Sequence, residues 1–275
     1  TGNAVDYADL IVAKQGRGNA SNSVRGLWAG GTPSEVAVID YIQIPNGGTA
    51  ADFGDLTTAR APQAGASNAH GGLNDGYQGT RIKPIPLGIG AGQRGLKIAG
   101  SAACTDIQQI TISTLGNSQK FGDLKTTDYA GSSGCSSTRC VHMYGVDGGA
   151  YTNTIEYVEF AHEGNSADFG DATVVGHASS GAFASPTRGV YGGGESPIND
   201  VIEYVTMATI GNATDFGDLT ADRSGVSGSS SPTRGVFAGG DTPGDLVDIM
   251  EYVTIGSTGN VTDFGNLATE TTGSI

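Results

Sequence analysis

One short sequence recurs along the whole chain and constrains its fold more than any other feature. The string Asp-Phe-Gly-Asp-Leu occurs at residues 52–56 and again at residues 215–219. Near copies start at residues 6, 120, 168 and 263, so that consecutive copies are 46, 68, 48, 47 and 48 residues apart. A Gly-Asn pair precedes five of the six copies. The chain is therefore predicted to consist of repeated units of about 47 residues.

Two further elements recur between these copies. One reads Ile-Glu-Tyr-Val or a variant of it, and starts at residues 39, 107, 155, 202 and 250. The other reads Arg-Gly-Val-Phe-Ala-Gly-Gly or a variant, and its first residues form a column of five arginines: Arg25, Arg94, Arg139, Arg188 and Arg234. We interpret residues 1–275 as one domain of five units, 11–56, 57–124, 125–172, 173–219 and 220–267.

Each recurring element is predicted to be a short strand, because Val, Ile, Tyr, Phe and Thr dominate it and turn-forming residues flank it. No segment shows the sustained 3.6-residue apolar period of an amphipathic helix. The glycine inside Asp-Phe-Gly-Asp predicts a bulge or a close approach between neighbouring backbones. The stretch that follows, Thr57–Arg60 in one unit and Thr220–Arg223 in another, is predicted to form a fourth, weaker strand.

Four strands in about 47 residues indicate one antiparallel sheet per unit, and such a sheet cannot bury both of its faces alone. Radial stacking of the sheets buries them, so an all-β propeller of about five four-stranded blades is predicted, alone or as part of a larger propeller. A β-solenoid would need a shorter period. The first element occurs six times in five units, so residues 6–10 and 263–267 compete for one place. We therefore expect a closed ring whose two chain ends lie close together.

Composition excludes several classes of protein. The chain has 14 Lys and Arg against 28 Asp and Glu, a formal charge of −14 that disfavours nucleic acid as a partner. It has no apolar run long enough for a transmembrane helix, and its 46 glycines follow no collagen period. It opens at Thr1 without an apolar leader, which suggests a processed or excerpted piece of a longer product.

The order of the elements resembles the kelch repeat, in which a diglycine closes the second strand and an aromatic residue lies in the third. The chain departs from kelch where that repeat has a tryptophan in the fourth strand, since phenylalanines stand there: Phe53, Phe121, Phe169, Phe216 and Phe264.

Two sequences of the repeat are also similar to kelch-like repeats in structural proteins of marine tailed phages, cyanophages especially. They are Gly-Asn-Ala-Thr-Asp-Phe-Gly-Asp-Leu and Thr-Arg-Gly-Val-Phe-Ala-Gly-Gly. This resemblance implies a non-enzymatic virion component, such as a tail fibre or a capsid decoration protein. Such a protein belongs to the extracellular particle and contacts other virion proteins, identical subunits, or a glycan or protein of the host surface.

Two groups of residues are candidates for contact. The arginine column is either a ring of cations around a ligand tunnel or a set of structural residues. In the structural interpretation each arginine pairs with the acid of the Ile-Glu-Tyr-Val element, as Arg188 would with Glu203. We favour the structural interpretation. The second unit also carries an insertion, residues 72–93, which is either a passive loop or a contact with a neighbouring subunit. Its basic and apolar residues are Arg81, Lys83, Ile85, Leu87 and Ile89.

No catalytic residue, metal site or cofactor is predicted. The Asp-Phe-Gly-Asp carboxylates do not have the spacing of an EF-hand loop, and the four histidines are scattered. His142 takes the position that Trp28, Tyr191 and Phe237 hold in other units, which indicates packing. Cys135 and Cys140 are close enough to pair, but small buried side chains are the simpler interpretation. A lectin-like glycan-binding propeller and a propeller enzyme of the oxidase or sialidase type remain alternatives.

Overall fold

The computed structural model describes residues 2–4, 7–22, 24–32, 34–60, 64–67, 94–100 and 104–272. Within these ranges the chain forms 22 strands and no helix, and hence no helix suited to crossing a membrane. Twenty of the strands form five four-stranded antiparallel sheets, arranged as the blades of a β-propeller. The prediction of an all-β propeller with five blades is confirmed.

The blades follow one another along the chain, and each runs from its innermost strand outwards. Blade 1 contains β1 (Gly18–Ser21), β2 (Arg25–Ala29), β3 (Val36–Gln43) and β4 (Ala51–Arg60). Blade 2 contains β5 (Ala64–Ser67), β6 (Arg94–Ile98), β7 (Asp106–Thr111) and β8 (Gln119–Asp123). Blade 3 contains β9 (Ser132–Cys135), β10 (Arg139–Met143), β13 (Thr154–Glu159) and β14 (Ala167–Asp171), with a separate hairpin of β11 (Val146–Asp147) and β12 (Ala150–Tyr151).

The last two blades have the same order of strands. Blade 4 contains β15 (Gly181–Ala184), β16 (Arg188–Gly194), β17 (Asn199–Thr206) and β18 (Thr214–Asp218). Blade 5 contains β19 (Ser227–Ser230), β20 (Arg234–Ala238), β21 (Ile249–Thr254) and β22 (Thr262–Asn266). The three recurring sequence elements therefore form the second, third and fourth strands of every blade.

The first strand of each blade corrects a sequence prediction. Thr220–Arg223 is not a strand, and residues 57–60 only extend β4. The first strand is instead a short stretch rich in Gly, Ser and Ala, such as β19, which has little intrinsic preference for strand structure. Small residues are required there because a Cβ atom added at Gly228 would lie 2.3 Å from the Ala182 backbone of the neighbouring blade.

The glycine of the fourth strand has both features that the sequence suggests. Gly170 has φ of +148°, and the pairing of strands three and four shifts register beside it, between Ile155 and Glu156. A Cβ atom at Gly170 would lie 2.6 Å from the carbonyl carbon of Gly211 in the next blade. The backbones of neighbouring blades approach so closely here that only glycine fits.

Apolar side chains fill the junctions between successive blades, and we name each junction by the two blades it joins. One cluster of buried residues spans each of the 1–2, 2–3, 3–4 and 4–5 junctions. At the 4–5 junction, for example, Val190 and Phe216 of blade 4 pack with Val253 and Ile255 of blade 5. No such cluster joins blade 5 to blade 1 among the described residues.

Candidate functional site

A Gly-Asn pair fastens each blade to its successor. At the 3–4 junction, the Gly211 N–H donates to the Phe169 carbonyl over 2.8 Å, and the Asn212 side-chain oxygen accepts from the Asp171 N–H over 3.1 Å. The Ala213 N–H then donates to the Asp171 carbonyl over 2.8 Å. The 1–2, 2–3 and 4–5 junctions have the same three bonds. Each pair lies in the loop before the fourth strand of its own blade and binds the fourth strand of the blade before.

At the 5–1 junction the N-terminal segment makes these bonds. The Gly2 N–H donates to the Phe264 carbonyl over 3.0 Å, and Asn3 accepts from the Asn266 N–H over 3.2 Å. On its other side, the Asp9 carbonyl accepts from the Ala50 N–H of blade 1 over 2.9 Å. The N-terminal segment therefore lies against β22, the last strand, whereas Thr272 near the other end of the chain lines the central channel. A closed ring with adjoining chain ends stays a prediction. The last copy of Asp-Phe-Gly-Asp-Leu provides β22 of blade 5, and residues 7–10 of the first copy belong to none of the five sheets. The Asp9 carbonyl nevertheless accepts from Ala50 the bond that the Asp171 carbonyl accepts from Ala213.

The arginines of the column act between blades, and each also lies over an aromatic ring, which is a tyrosine in four blades and Phe121 in blade 2. Arg188 lies 4.3 Å from the centre of the Tyr204 ring and donates to the Ile255 carbonyl of the next blade over 2.9 Å. Arg25, Arg94 and Arg139 make the same inter-blade bond. The predicted pair of Arg188 with Glu203 is wrong, because Arg188 lies opposite Thr206 in the sheet.

The fifth arginine differs from the other four. Arg234 lies 4.3 Å from the centre of the Tyr252 ring but is exposed, and it donates to no carbonyl in the part of the chain that the structure describes. The matching carbonyl in blade 1 is that of Ile44, which accepts from the Tyr7 hydroxyl instead. None of the five arginines lines the central channel.

The acid of the third strand is buried and satisfied across the closed junctions. The Thr173 N–H, which follows the fourth strand of blade 3, donates to Glu203 of blade 4 over 2.8 Å, and His177 binds the second carboxylate oxygen over 2.8 Å. Burial by itself would raise the pKa of Glu203, but the hydrogen bonds from His177 and Thr173 lower it below its usual value. The N–H groups of Lys125 and Thr220 donate in the same way to the acids Glu156 and Glu251. At the 1–2 junction the Thr57 N–H donates to the side-chain oxygen of Gln108, which replaces the acid in blade 2.

Blade 5 has an arginine where blade 4 has His177. Arg223 binds Glu251 and donates to the Gly239 carbonyl over 3.0 Å, and its side chain is fully buried. Burial lowers the pKa of Arg223, while the charge of Glu251 opposes this shift. In blades 4 and 5 the buried polar pair thus joins the linker before the first strand to the third strand.

The equivalent acid in blade 1 lacks one of these bonds. Asp40 is 1% exposed and lies 2.7 Å from Arg17 through one carboxylate oxygen. Its other oxygen is buried and has no hydrogen-bond partner among the described residues. Ile11 takes the sequence position of Thr173, but it is 46% exposed and makes no bond to Asp40. A buried carboxylate oxygen without a donor is costly, so this side of blade 1 is incompletely satisfied.

The apolar side chains show the same asymmetry. At one position just after the third strand, Ile112, Phe160, Met207 and Ile255 are between 0 and 5% exposed, whereas Ile44 of blade 1 is 41% exposed. On the facing side, Val236, Phe264 and Leu267 of blade 5 are only half-buried, although their equivalents in the other blades are buried. The apolar surfaces at the 5–1 junction are therefore left partly uncovered.

A groove follows from this incomplete contact. The first strands β1 and β19 are much less closely packed than any other two neighbouring first strands. A cavity of about 370 Å³ extends from the central channel to Trp28, Ile42 and Ile44 on blade 1 and to Val236 and Ala238 on blade 5. We call the part between these two blades the junction groove.

A hydrogen-bonded relay borders the channel in blade 3. Ser133, on the first strand, lies 2.8 Å from Nδ1 of His142, and Nε2 of His142 lies 2.8 Å from Asp128. His142 and Asp128 are each 1% exposed, while Ser133 lines the channel. His142 takes the strand position of Trp28 and Tyr191, as the sequence indicates, but it forms hydrogen bonds there as well as packing. No sequence motif connects the three residues, so the relay is visible only in the structure.

Lys97 of blade 2 takes the same strand position as His142. It is 5% exposed, its ammonium group has no hydrogen-bond partner among the described residues, and burial lowers its pKa to about 8. This position thus holds an aromatic residue in three blades and a polar residue in two.

The remaining sequence candidates are placed as follows. The insertion 72–93, with Arg81, Lys83, Ile85, Leu87 and Ile89, lies outside the described residues, as does His70. Cys135 and Cys140 are directly opposite each other in the sheet, and both are buried free thiols, as is Cys104. Burial and the neighbouring Cys140 raise the pKa of the Cys135 thiol. Within the described ranges, no group of three His, Cys, Asp or Glu side chains is placed to hold a metal ion.

No protein-family model matches the chain, and no curated protein matches it in sequence. Inference about function therefore depends on the geometry above and on the repeat itself.

Proposed function

We propose that this propeller is a kelch-like, non-enzymatic assembly module of a phage particle, acting as a component of a fibre, an appendage or a capsid decoration. It contacts other virion proteins or identical subunits, or a glycan or protein of the host surface. The diglycines that end the second strands, such as Gly193-Gly194 with φ of +73° and +151°, support the kelch likeness. The wording of the repeat supports the likeness to phage proteins.

One observation carries the proposal of protein–protein contact. The junction groove brings exposed Ile44 together with half-buried Val236. The strand that leads to Ile44 also carries Asp40, whose second carboxylate oxygen has no donor among the described residues. Single exposed apolar residues are ordinary on protein surfaces, but a contiguous apolar surface bordered by unsatisfied polar groups is typical of an interaction site. Its walls are the same strand faces that bind another blade at the other four junctions, so the surface suits a protein partner.

Mass spectrometry of purified particles tests this function. We expect peptides of the chain to co-purify with particles, and Ile44→Glu to reduce incorporation at least about tenfold, a loss of ~1.4 kcal/mol. Ile210→Glu is the matched control, because Ile210 is 63% exposed on blade 4, away from the groove. Absence of the chain from particles, or equal incorporation of both variants, would overturn the proposal. A glycan array distinguishes the lectin alternative from the assembly function. A lectin is expected to bind a glycan saturably, and this binding should persist in Ile44→Glu.

The relay in blade 3 favours a second candidate, an acyl-transfer activity at Ser133. There the Ser133 hydroxyl oxygen would bond to an acyl carbon, and its proton would pass to Nδ1 of His142. The bond between the acyl carbon and the leaving group would break, and the leaving group would take that proton. Water would then attack the acyl-Ser133 ester, with His142 taking a proton from water and returning it to the Ser133 oxygen. Asp128 would hold the imidazole through Nε2, which reverses the usual roles of the two ring nitrogens. Covalent labelling with a fluorophosphonate probe tests this activity. Labelling of the parent protein that is lost in both Ser133→Ala and His142→Phe supports the enzyme. No labelling of the parent protein rejects it.

A further inference from the structure

We infer that the junction groove is the seat of three further strands of the repeat's own kind, which complete a sixth blade around the segment 7–10. This inference rests on the proposed function in that it names the partner of the same surface. The partner is one polypeptide unit with three antiparallel strands, carrying the Arg-Gly-Val-Phe-Ala-Gly-Gly and Ile-Glu-Tyr-Val elements.

The outermost strand of this blade is already in position. Gly2 and Asn3 bind blade 5 and Asp9 binds blade 1, as the residues of a fourth strand and its preceding loop do at the other junctions. In each complete blade the fourth strand pairs with a third strand, as Asp215 pairs with Glu203. Within the described part of the chain, no strand pairs with residues 7–10. Their inner edge is therefore open to strand addition.

Two polar groups at the 5–1 junction match what a repeat unit presents. Among the described residues, Arg234 has no carbonyl like the one that Arg188 contacts just after the third strand of the next blade. An incoming third strand would supply this carbonyl to Arg234. Binding of the unit would also hold residues 7–10 in place, just before Ile11. The Ile11 N–H has the sequence position of the Thr173 N–H, and in the completed blade it would donate to Asp40 as Thr173 donates to Glu203.

The apolar walls of the groove match the same unit. A residue like Ile255, which covers the equivalent wall of blade 4, would bury the exposed parts of three side chains of blade 5. They are Val236, Phe264 and Leu267. Ile44 and Trp28 need a second strand like that of blade 4, whose Val190 is fully buried against blade 5. A second copy of this chain is a poorer fit, since all five of its described sheets already have four strands.

The test supplies the missing strands. Residues 228–257 are appended after Ile275; they contain the first three strands of blade 5 except Ser227. The 48-residue offset between the last two copies makes Ile275 the equivalent of Ser227, so Ile275 takes its place. Trp28 lines the groove, is half-buried, and is the single tryptophan of the chain, so its fluorescence reports on the groove. We expect a blue-shifted emission and a Tm higher by about 5 °C or more.

Two matched variants make this result specific. In the fusion, Ile44→Glu should abolish the blue shift, and so should replacing Val253 and Ile255 by Asp in the appended copy alone. If the fusion aggregates, a synthetic peptide of residues 226–257 is titrated against the unextended chain with the same readout. Unchanged Trp28 emission and Tm in the folded fusion, unchanged emission on titration of the peptide, or equal shifts from a scrambled extension, would overturn the inference.

The two proposals fail separately. A chain that enters particles but does not accept the extra unit contradicts the sixth blade alone. A chain that accepts the unit but is absent from particles contradicts the virion function alone.

Discussion

The 4–5 and 5–1 junctions use the same sequence elements and reach different degrees of closure. At the 4–5 junction, Ile255 is 1% exposed, Arg188 reaches a carbonyl of the next blade, and the buried acid receives a backbone N–H. At the 5–1 junction, Ile44 is 41% exposed, Arg234 has no such acceptor in the described residues, and Asp40 retains an orphan oxygen. The Gly-Asn bonds are present at both. The outer fastening of two blades is therefore separable from the packing between them.

The largest contrast is expected from truncating the same side chain at the two junctions. Ile255→Ala should lower the free energy of unfolding by about 2–5 kcal/mol, because it opens a cavity in a buried cluster. Ile44→Ala should lower it by less than about 1 kcal/mol, since the side chain is already partly in water. Urea denaturation of both variants measures the difference, and equal losses would show that the 5–1 junction is packed like the others.

The glycine of the fourth strand gives the next contrast. Gly170→Ala should cost about 2–4 kcal/mol, because the new Cβ meets a carbonyl of a complete blade at positive φ. Gly265→Ala has the same backbone strain, but its Cβ meets Gly2 of a single segment that can shift, so we expect about 1–3 kcal/mol. Thermal unfolding followed by calorimetry compares them, and a larger loss for Gly265→Ala would reverse this interpretation.

The arginine column provides a smaller effect. Arg188→Ala removes a charged hydrogen bond and a cation–π contact, and should cost about 1–3 kcal/mol. Arg234→Ala removes only the stacking on Tyr252, and should cost less than about 1 kcal/mol. Chemical denaturation measures both. If Arg188→Ala unfolds like the parent but no longer enters particles, the column is a binding site and not a structural set.

The smallest effect concerns acid. The pKa of Glu203 is lowered in the folded protein, so its ionised form contributes stability that is present above the ordinary value of 4.5 and is lost as the pH falls below it. Glu203→Gln should therefore unfold less steeply with pH between about 4.5 and 2 than the parent protein does. Denaturation curves across this range test the expectation, and parallel pH profiles would contradict it.

Much of the fold could be predicted from the sequence because the repeat imposes it. The second, third and fourth strands carry β-branched and aromatic residues, and a 47-residue period leaves room for one sheet per unit. The first strand escaped prediction because residues such as Gly228 allow close approach to the preceding blade and have little strand propensity. The partner of Arg188 escaped for a related reason, because the Ile255 carbonyl is 67 residues away and only tertiary packing brings it near.

The polar core was similarly hidden. Asp128 lies in a linker and His142 in a second strand. In other blades, His177 and Arg223 lie at linker positions that no strand pattern marks. The junction groove is also invisible to local reasoning, because its residues have the same types as their buried equivalents. What distinguishes Ile44 from Ile255 is the absence of a neighbouring sheet, not any property of isoleucine.

The Gly-Asn fastening has a consequence for how such a gene can grow. Each of the second to fifth units carries the Gly-Asn donors that hold its predecessor and the carbonyls that receive its successor, as Gly211 and Asp171 illustrate. An in-frame duplication of one whole period therefore inserts a blade whose two edges both find matching partners, and the older blades keep their own contacts. A duplication of a fractional period would leave mismatched edges and should be eliminated. Recombination between near-identical repeats can thus change the length of the array in whole blades without redesigning any of them.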